Sequence, residues 1–184
     1  YGRLESVIPP ITVPAWMCLA TSRDPGSLGV YGFRNRSDHS YGGLKFVNAR
    51  SIDRPAIWDH LALQEKKSIL VGIPPSYPPR KVHGLSVSCF LTPDTKTHLF
   101  TSPPSLADQI QQWVGDYPVD VPEFRTDDKE RLLKDIYEMT RKHFEVIRRL
   151  IKNYEWEYFQ FVEIGLDRMH HGFWKFADSL HRLH

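Results

Sequence analysis

A short apolar run at residues 68–73 limits the fold more than any other segment of this 184-residue chain. Its residues lack the alternation of polar and apolar side chains that marks a strand with one solvent face. Such a run is typical of a strand that is buried on both faces in a parallel sheet. Residues 55–65 precede it and place Ile57 and Leu61 on one face of a predicted helix that Pro55 can open. A helix followed by a buried strand indicates an α/β unit.

Further elements of the same kind surround this unit. Residues 85–91 alternate as a strand, and residues 158–165 form a strand-like run rich in aromatic and β-branched side chains. Helices are predicted at 102–114 and at about 126–153, where a long amphipathic pattern has acids at its start and bases near its end. The predicted fold is therefore α/β, with a mainly parallel sheet between helices.

The segment 8–21 carries the first candidate functional residue. Two prolines keep its approach extended, and Pro14 suits the first turn of a helix because a missing N–H costs nothing there. Thr12 lies where that helix should begin. A hydroxyl at this point faces free backbone N–H groups and the positive end of the helix dipole, which is the usual way to hold a phosphate. The alternative is that Thr12 only caps the helix.

A second candidate site follows the strand predicted at 158–165. Asp167 comes just after that strand and His171 lies four residues on, so a helix starting near Asp167 places both side chains on one face. One carboxylate and one imidazole on one face can ligate a divalent metal. The alternative is a surface contact between the two side chains. His170 is expected to point elsewhere on the same helix.

Together these segments resemble the type I phosphodiesterase/nucleotide pyrophosphatase branch of the alkaline phosphatase superfamily. The motifs that carry the resemblance are residues 9–16, 24–33, 77–79, 88–93 and 166–174. They occur in the expected order, and the resemblance covers essentially all 184 residues. Cys89 stands where glycine is expected, which replaces one small residue by another.

The resemblance implies a role for each candidate residue. Thr12 matches the nucleophile, which attacks phosphorus and forms a covalent phospho-threonine. Asp167 and His171 match two ligands of one of a pair of divalent metal ions, usually Zn²⁺, and the second metal contacts the oxygen of the nucleophile. The family also places a phosphate-contacting group shortly after the nucleophile helix. Arg34 or Asn35 could serve there as a substrate-binding residue, with a solvated loop as the alternative.

The resemblance also implies how the chain is organised. The expected fold is an incomplete alkaline phosphatase-like core, formed by residues 1–32 and 121–184. Residues 33–120 are expected to be an insertion or cap region together with connecting α/β elements. The remaining metal ligands of the family should lie before Tyr1 and beyond His184. The chain is therefore expected to be a fragment, or the ordered part of a longer protein.

The leading functional hypothesis is a metal-dependent phosphodiesterase or nucleotide pyrophosphatase that acts through Thr12 on a small-molecule phosphate ester or a nucleotide. One alternative is an inactive fragment or a non-catalytic phosphate-binding domain, because two protein ligands rarely hold zinc tightly. A further alternative is a phosphomutase or a sulfatase of the same superfamily. Threonine argues against both, since the first favours serine and the second uses a modified cysteine or serine.

Charge and cysteine content argue against several classes of partner and compartment. A formal net charge of +2 is too small to indicate binding to nucleic acid or to a membrane surface. No apolar run approaches the roughly 20 residues that span a bilayer. Cys18 and Cys89 form no spacing motif and lie in apolar surroundings, which predicts reduced core thiols in a cytoplasmic protein.

Overall fold

The computed structural model describes residues 1–38 and 40–183 and contains a four-stranded sheet with helices packed around it. The strands are β1 (Arg34–Arg36), β2 (Leu44–Phe46), β3 (Ser68–Val71), β4 (Gly84–Val87), β5 (Thr101–Ser102) and β6 (Tyr158–Phe161). The α-helices are α1 (Thr12–Thr21), α2 (Pro25–Leu28), α3 (Ile57–Ala62), α4 (Ser105–Val114), α5 (Lys129–Asn153) and α6 (Ile164–Ala177), and a 3-10 turn covers Ala49–Ser51.

The four-stranded sheet has the strand order β5-β4-β3-β6. β3 pairs in parallel with β4 on one side and with β6 on the other, so that Ser68 lies opposite both Gly84 and Tyr158. β5 runs antiparallel to β4 at the edge of the sheet. The sheet is mixed with mostly parallel strands, which confirms the predicted α/β class. β1 and β2 form a separate antiparallel hairpin.

Helices cover both faces of this sheet. Successive side chains of β3 point to opposite faces, and they pack against different helices. Leu70 belongs to a buried cluster with Met17 of α1. Ile69 belongs to a second buried cluster with Ile110 of α4 and Leu150 of α5. All four residues of β3 are buried, as expected for a strand between two helical layers.

α6 packs on α5 rather than on the sheet alone. Leu132 of α5 and Ile164 of α6 belong to a third buried cluster. Gly172 allows a close approach of the two helices, because a Cβ at this position would lie 2.8 Å from Leu132 Cδ2. A larger residue at position 172 would therefore separate α6 from α5.

The predicted elements are present with shifted ends. α5 starts after Asp128, whose carboxylate accepts a hydrogen bond of 3.0 Å from the Arg131 N–H. α6 begins at Ile164, ahead of the start predicted near Asp167. Gly165 consequently lies in the first turn of α6 and does not end the preceding strand.

Residues 33–120 contribute to the sheet as well as to the surface. β3, β4 and β5 come from this segment and pair with one another and with β6. The β1–β2 hairpin lies outside the four-stranded sheet. The division of the chain into a core and a cap stays a prediction.

Both cysteines are free thiols, and Cys89 is buried. The Cys89 sulfur accepts a hydrogen bond of 3.4 Å from the Ser76 N–H. In the part of the chain that the structure describes, none of the helices combines the length and the apolar character needed to cross a membrane.

Leu150 and Ile151 allow a matched test of the packing of α5 on the sheet. Leu150 is fully buried, whereas its neighbour Ile151 is 46% exposed. We expect Leu150→Ala to lower the free energy of unfolding by about 3 kcal/mol, because it removes buried methyl groups and leaves a cavity. Ile151→Ala should lower it by less than about 1 kcal/mol. Urea denaturation followed by circular dichroism measures both changes, and equal losses would contradict this packing.

Candidate functional site

Thr12 is the first helical residue of α1. Ile11 takes the N-cap position, with extended dihedral angles of φ −118° and ψ 147°, and its side chain has no polar group to cap the helix. The interpretation of Thr12 as the N-cap is therefore wrong. By position, the N–H groups of Thr12 and Val13 have no acceptor within the helix, and Pro14 has no N–H. The start of α1 thus offers backbone donors beside a half-buried threonine hydroxyl.

Asp167 and His171 lie one turn apart on α6. Asp167 Oδ2 and His171 Nε2 are 3.7 Å apart, and the two side chains are 44% and 56% exposed. Bonds of about 2.0–2.2 Å to a tetrahedral zinc ion would set two ligand atoms about 3.4 Å apart. The pair therefore fits one divalent metal ion in its chemistry and, within a few tenths of an ångström, in its spacing.

The number of ligands falls short of a complete metal site. Within residues 1–38 and 40–183, no group of three or more His, Cys, Asp and Glu side chains is placed to hold a metal ion. Asp167 and His171 supply two ligands, whereas catalytic zinc sites usually take three from the protein. His170 packs instead against the Trp174 ring, with the ring centroids 5.5 Å apart.

Arg168 is a buried arginine that sequence reasoning missed. Its Nε and Nη2 donate to the two carboxylate oxygens of Asp120 at 2.7 and 2.5 Å, and its Nη1 donates to Asp167 Oδ2 at 2.7 Å. The guanidinium carbon lies 4.2 Å from the centre of the Phe124 ring and 5.3 Å from that of Phe90. A sequence signal existed, because residues spaced by four share one face of a helix, and Arg168 lies four residues after Ile164 and four before Gly172, which are both buried. An arginine on a buried helix stripe needs a buried partner.

Glu163 fixes the start of α6. Its Oε1 accepts hydrogen bonds from the Gly165 N–H at 2.7 Å and from Thr140 Oγ1 at 3.2 Å, and this cap explains why the helix starts before the predicted point. Its Oε2 lies 3.0 Å from His143 Nδ1, and His143 Nε2 lies 2.7 Å from the Pro118 carbonyl oxygen. Because both partners are acceptors, the two ring nitrogens can both donate only when the imidazole is protonated.

Glu163 and His143 thus form a buried hydrogen-bonded pair that joins α6 to α5. Burial raises the pKa of Glu163, but the hydrogen bond and the charge of His143, with the donors of Gly165 and Thr140, outweigh burial and hold that pKa below its usual value. The side chains of His143 and Glu163 are only 4% and 17% exposed. The pair therefore fixes the start of α6 relative to α5 through short, directional contacts.

A series of contacts joins the start of α1 to α6. A Cβ on Gly32 would lie 3.8 Å from Cδ1 of Ile11, the N-cap residue of α1. The ring of the next residue, Phe33, meets the ring of Phe90 with centroids 6.2 Å apart. Phe90 in turn lies against the guanidinium of Arg168. The two sequence motifs are thus connected through the segment 32–33 and through the loop that follows β4.

The two predicted phosphate-contacting residues have different surroundings. Asn35 Nδ2 donates to the Gly29 carbonyl oxygen at 2.7 Å, and Asn35 Oδ1 accepts from the Tyr31 N–H at 3.4 Å. The amide of Asn35 is therefore used to hold the loop after α2. Arg34 is exposed on β1, opposite Phe46. Of the two residues, Arg34 is the better placed to contact an anion.

The fold and the site define an α/β protein whose candidate metal ligands follow the carboxyl end of a parallel strand, where proteins of this class bind ligands. The family model described as Type I phosphodiesterase / nucleotide pyrophosphatase matches residues 1–183, and the chain belongs to this family. No curated protein and no solved structure was found to match the chain.

The family match confirms the resemblance stated from the motifs. It supports phosphodiesterase or nucleotide pyrophosphatase activity in general, and hence a hydrolase. Members of the family act on small-molecule phosphate esters or nucleotides and are generally metal-dependent. The nucleophile and the identity of the metal are finer questions, which the local geometry addresses.

Glu163→Gln tests the buried pair at the start of α6. We expect it to lower the free energy of unfolding at pH 7 by about 2 kcal/mol, because it removes the buried carboxylate that accepts hydrogen bonds from Gly165, Thr140 and His143. The pKa of Glu163 is lower in the folded protein than in the unfolded chain, so its contribution is complete above the unfolded pKa of about 4.3. It is lost as the pH falls through the folded pKa. Denaturation at pH values from 7 to 3 should show the two proteins becoming more alike in stability below about pH 4.3.

Glu138→Gln is the matched control for this measurement. Glu138 pairs with Arg141 at 2.8 Å, but the two side chains are 51% and 63% exposed. An exposed pair of this kind contributes less than about 1 kcal/mol. If Glu163→Gln destabilised the protein no more than Glu138→Gln, the proposed importance of the buried pair would be wrong.

Proposed function

We propose that the protein is a metal-dependent phosphodiesterase or nucleotide pyrophosphatase that hydrolyses phosphate esters through a covalent phospho-threonine at Thr12. The observation that carries this proposal is the position of Thr12 as the first residue of α1, next to an N-cap residue without a polar side chain. A phosphate bound beside Thr12 would meet backbone N–H groups and the positive end of the helix dipole. The family match over residues 1–183 supports the same chemistry.

The proposed reaction consists of two displacements at phosphorus. In the first, Thr12 Oγ1 forms a bond to phosphorus, the bond from phosphorus to the leaving oxygen breaks, and the hydroxyl proton ends on the leaving group. In the second, water attacks phosphorus, the bond to Thr12 breaks, and a proton of that water restores the threonine hydroxyl. Backbone donors at the start of α1 stabilise the negative charge on the phosphoryl oxygens in both steps.

Asp167 and His171 are the residues that we propose to hold one of two divalent metal ions, with Zn²⁺ as the proposed metal. A metal ion in such a site lowers the pKa of a bound hydroxyl and stabilises charge on phosphoryl oxygens. The carboxylate–imidazole pair suits this role in donor type and in its 3.7 Å spacing. Since the described residues form no group of three ligands, the proposed site needs further ligands.

The β1–β2 hairpin is the part of residues 33–120 that we propose as a cap over the substrate. An open cavity of about 750 Å³ lies beside this hairpin, and Arg34, Arg36 and Lys45 line it together with one carboxylate, Asp38. Three cationic side chains favour an anionic substrate such as a phosphate ester. We propose that Arg34 contacts the phosphate and that Asn35 acts indirectly, by holding the loop.

A second candidate function is phosphate binding without catalysis. The observation that favours it is the shortage of ligands, because no three metal-binding side chains meet within the described ranges 1–38 and 40–183. In that case the start of α1 would bind a phosphate group, and the pair on α6 would be a surface contact. The wild-type protein would then bind phosphate measurably but would not hydrolyse phosphate esters.

Thr12→Ala separates these two functions. In the full-length protein supplied with Zn²⁺, we expect this substitution to lower kcat for bis(4-nitrophenyl) phosphate by at least about 1,000-fold, because it removes the atom that attacks phosphorus. Release of 4-nitrophenolate measures the rate. Displacement of one 4-nitrophenolate leaves the second aryl ester on phosphorus, so the mass of the acid-quenched protein should show a 4-nitrophenyl phosphoryl adduct in the wild type and none in the variant.

Thr21→Ala is the control on the same helix. Thr21 lies at the other end of α1, where its Oγ1 donates to the Met17 carbonyl oxygen at 2.7 Å. Its loss should leave the rate of hydrolysis within about twofold, because the hydroxyl is distant from the phosphate end of α1. Full activity of Thr12→Ala would reject the proposed nucleophile.

A further inference from the structure

Arg168 touches the proposed metal ligand Asp167, yet the proposed chemistry gives it no part. We propose that Arg168 is a positioning residue, which orients Asp167 and balances the local charge so that Asp167 can bind a metal ion. This inference rests on the proposed function, in which Asp167 is a ligand. Arg168 is not itself a ligand, because a guanidinium has no acceptor lone pair to donate to a metal.

The hydrogen bonds of Arg168 fix the Asp167 carboxylate relative to the rest of the protein. Nε and Nη2 bind both oxygens of Asp120, which lies 48 residues away in the chain. Nη1 donates to Asp167 Oδ2 at 2.7 Å. Because the guanidinium is planar and rigid, its attachment to Asp120 sets the direction of the donor that Asp167 meets. The carboxylate keeps further lone pairs for a cation.

Burial makes this arrangement stiff. The Arg168 side chain is 7% exposed and that of Asp120 is 23% exposed, whereas Asp167 is 44% exposed. The aromatic rings of Phe124 and Phe90 lie beside the guanidinium and limit its contact with water. Hydrogen bonds between charged groups are strong in such surroundings. The half-exposed Asp167 carboxylate is thus held by the buried Arg168 guanidinium.

Asp120 balances the positive charge of Arg168 next to the proposed metal ligand Asp167. A positive guanidinium alone beside Asp167 would repel a divalent metal ion. The bidentate contact with Asp120 neutralises Arg168. The three charges together sum to −1, so the site keeps the negative charge that attracts a metal.

Arg168→Lys is the direct test. Lysine keeps the positive charge, but its compact ammonium cannot bind both oxygens of Asp120 and also reach Asp167 in a fixed direction. We expect the affinity for Zn²⁺ to fall about 10- to 100-fold, which is the usual effect of removing a group that orients a metal ligand. Isothermal titration calorimetry of the full-length protein with Zn²⁺ measures this affinity. Circular dichroism identifies a temperature at which every variant is folded.

Arg131→Lys is the matched control. Arg131 Nη1 donates to Asp135 Oδ2 at 2.8 Å and to the Pro122 carbonyl oxygen at 3.2 Å, so it also ties the chain near Asp120 to α5. The same substitution there should lower the thermal midpoint without changing the affinity for Zn²⁺. A loss of affinity equal to that of Arg168→Lys would show a general effect of stability and overturn the proposal.

Asp120→Asn provides a second test, which also holds if Arg168→Lys does not fold. It keeps the size of the side chain and one acceptor oxygen but removes the charge that balances Arg168. We expect the affinity for Zn²⁺ to fall about tenfold. Unchanged affinity in this variant would contradict the charge-balancing role.

Asp167→Asn distinguishes failure of this inference from failure of the proposed function. If Asp167→Asn abolishes Zn²⁺ binding while Arg168→Lys and Asp120→Asn bind as tightly as the wild type, the positioning role is overturned and the ligand role stands. If the wild-type protein binds no Zn²⁺, or Asp167→Asn binds it equally well, the proposed metal site fails and this inference fails with it.

Discussion

The parallel pairing of β3 with β6 determines where α6 and its candidate metal ligands lie. Ser68 pairs with Tyr158 at the start of the ladder, so distant parts of the chain are joined in one register. Just beyond the ladder, Gly72 has a φ of +72°, and a Cβ there would lie 2.8 Å from the Val162 carbonyl oxygen. Glycine meets both of these steric demands. Because parallel strands end at the same edge of a sheet, α6 starts beside the loops that leave β3 and β4, which is the edge where we propose the site.

Two side-chain pairs, both with a largely buried donor, fix the position of α6 relative to α5 and to the chain before α5. His143 of α5 binds Glu163 at the start of α6, and Arg168 in the next turn of α6 binds Asp120. Both pairs use the same stretch of chain before α5, since His143 Nε2 also meets the Pro118 carbonyl oxygen. A buried charge is costly when its partner is missing and directional when its partner is present. α5, α6 and the stretch before α5 are therefore held in one relative arrangement.

How much of this could be predicted from the sequence depends on the range of each interaction. Local pattern was sufficient for β3, whose signal is a short apolar run, for the amphipathic α5, and for the placement of Asp167 and His171 on one face of α6, because these features depend on residues within a few positions of one another. The start of α6 could not be found in this way, since its cap Glu163 is held by His143, which lies 20 residues earlier. Arg168 was missed for the same reason, because its partner Asp120 is 48 residues away. The helix that begins at Thr12 was predictable. That the apolar Ile11, and not Thr12, takes its N-cap position was not.

The two proposed metal ligands on α6 are more exposed than the charged side chains beside them. Asp167 and His171 are about half exposed, whereas the side chains of Arg168 and His143 are 7% and 4% exposed. In the proposed site, a metal ion therefore reaches Asp167 and His171 from solvent without disturbing the buried Arg168. Two ligands on one face of a helix fix the position of a metal but do not complete its coordination, so other elements have to face α6. The start of α1 is connected to α6 through the segment 32–33 and the loop after β4. This connection supports the proposal that the two motifs contribute to one site.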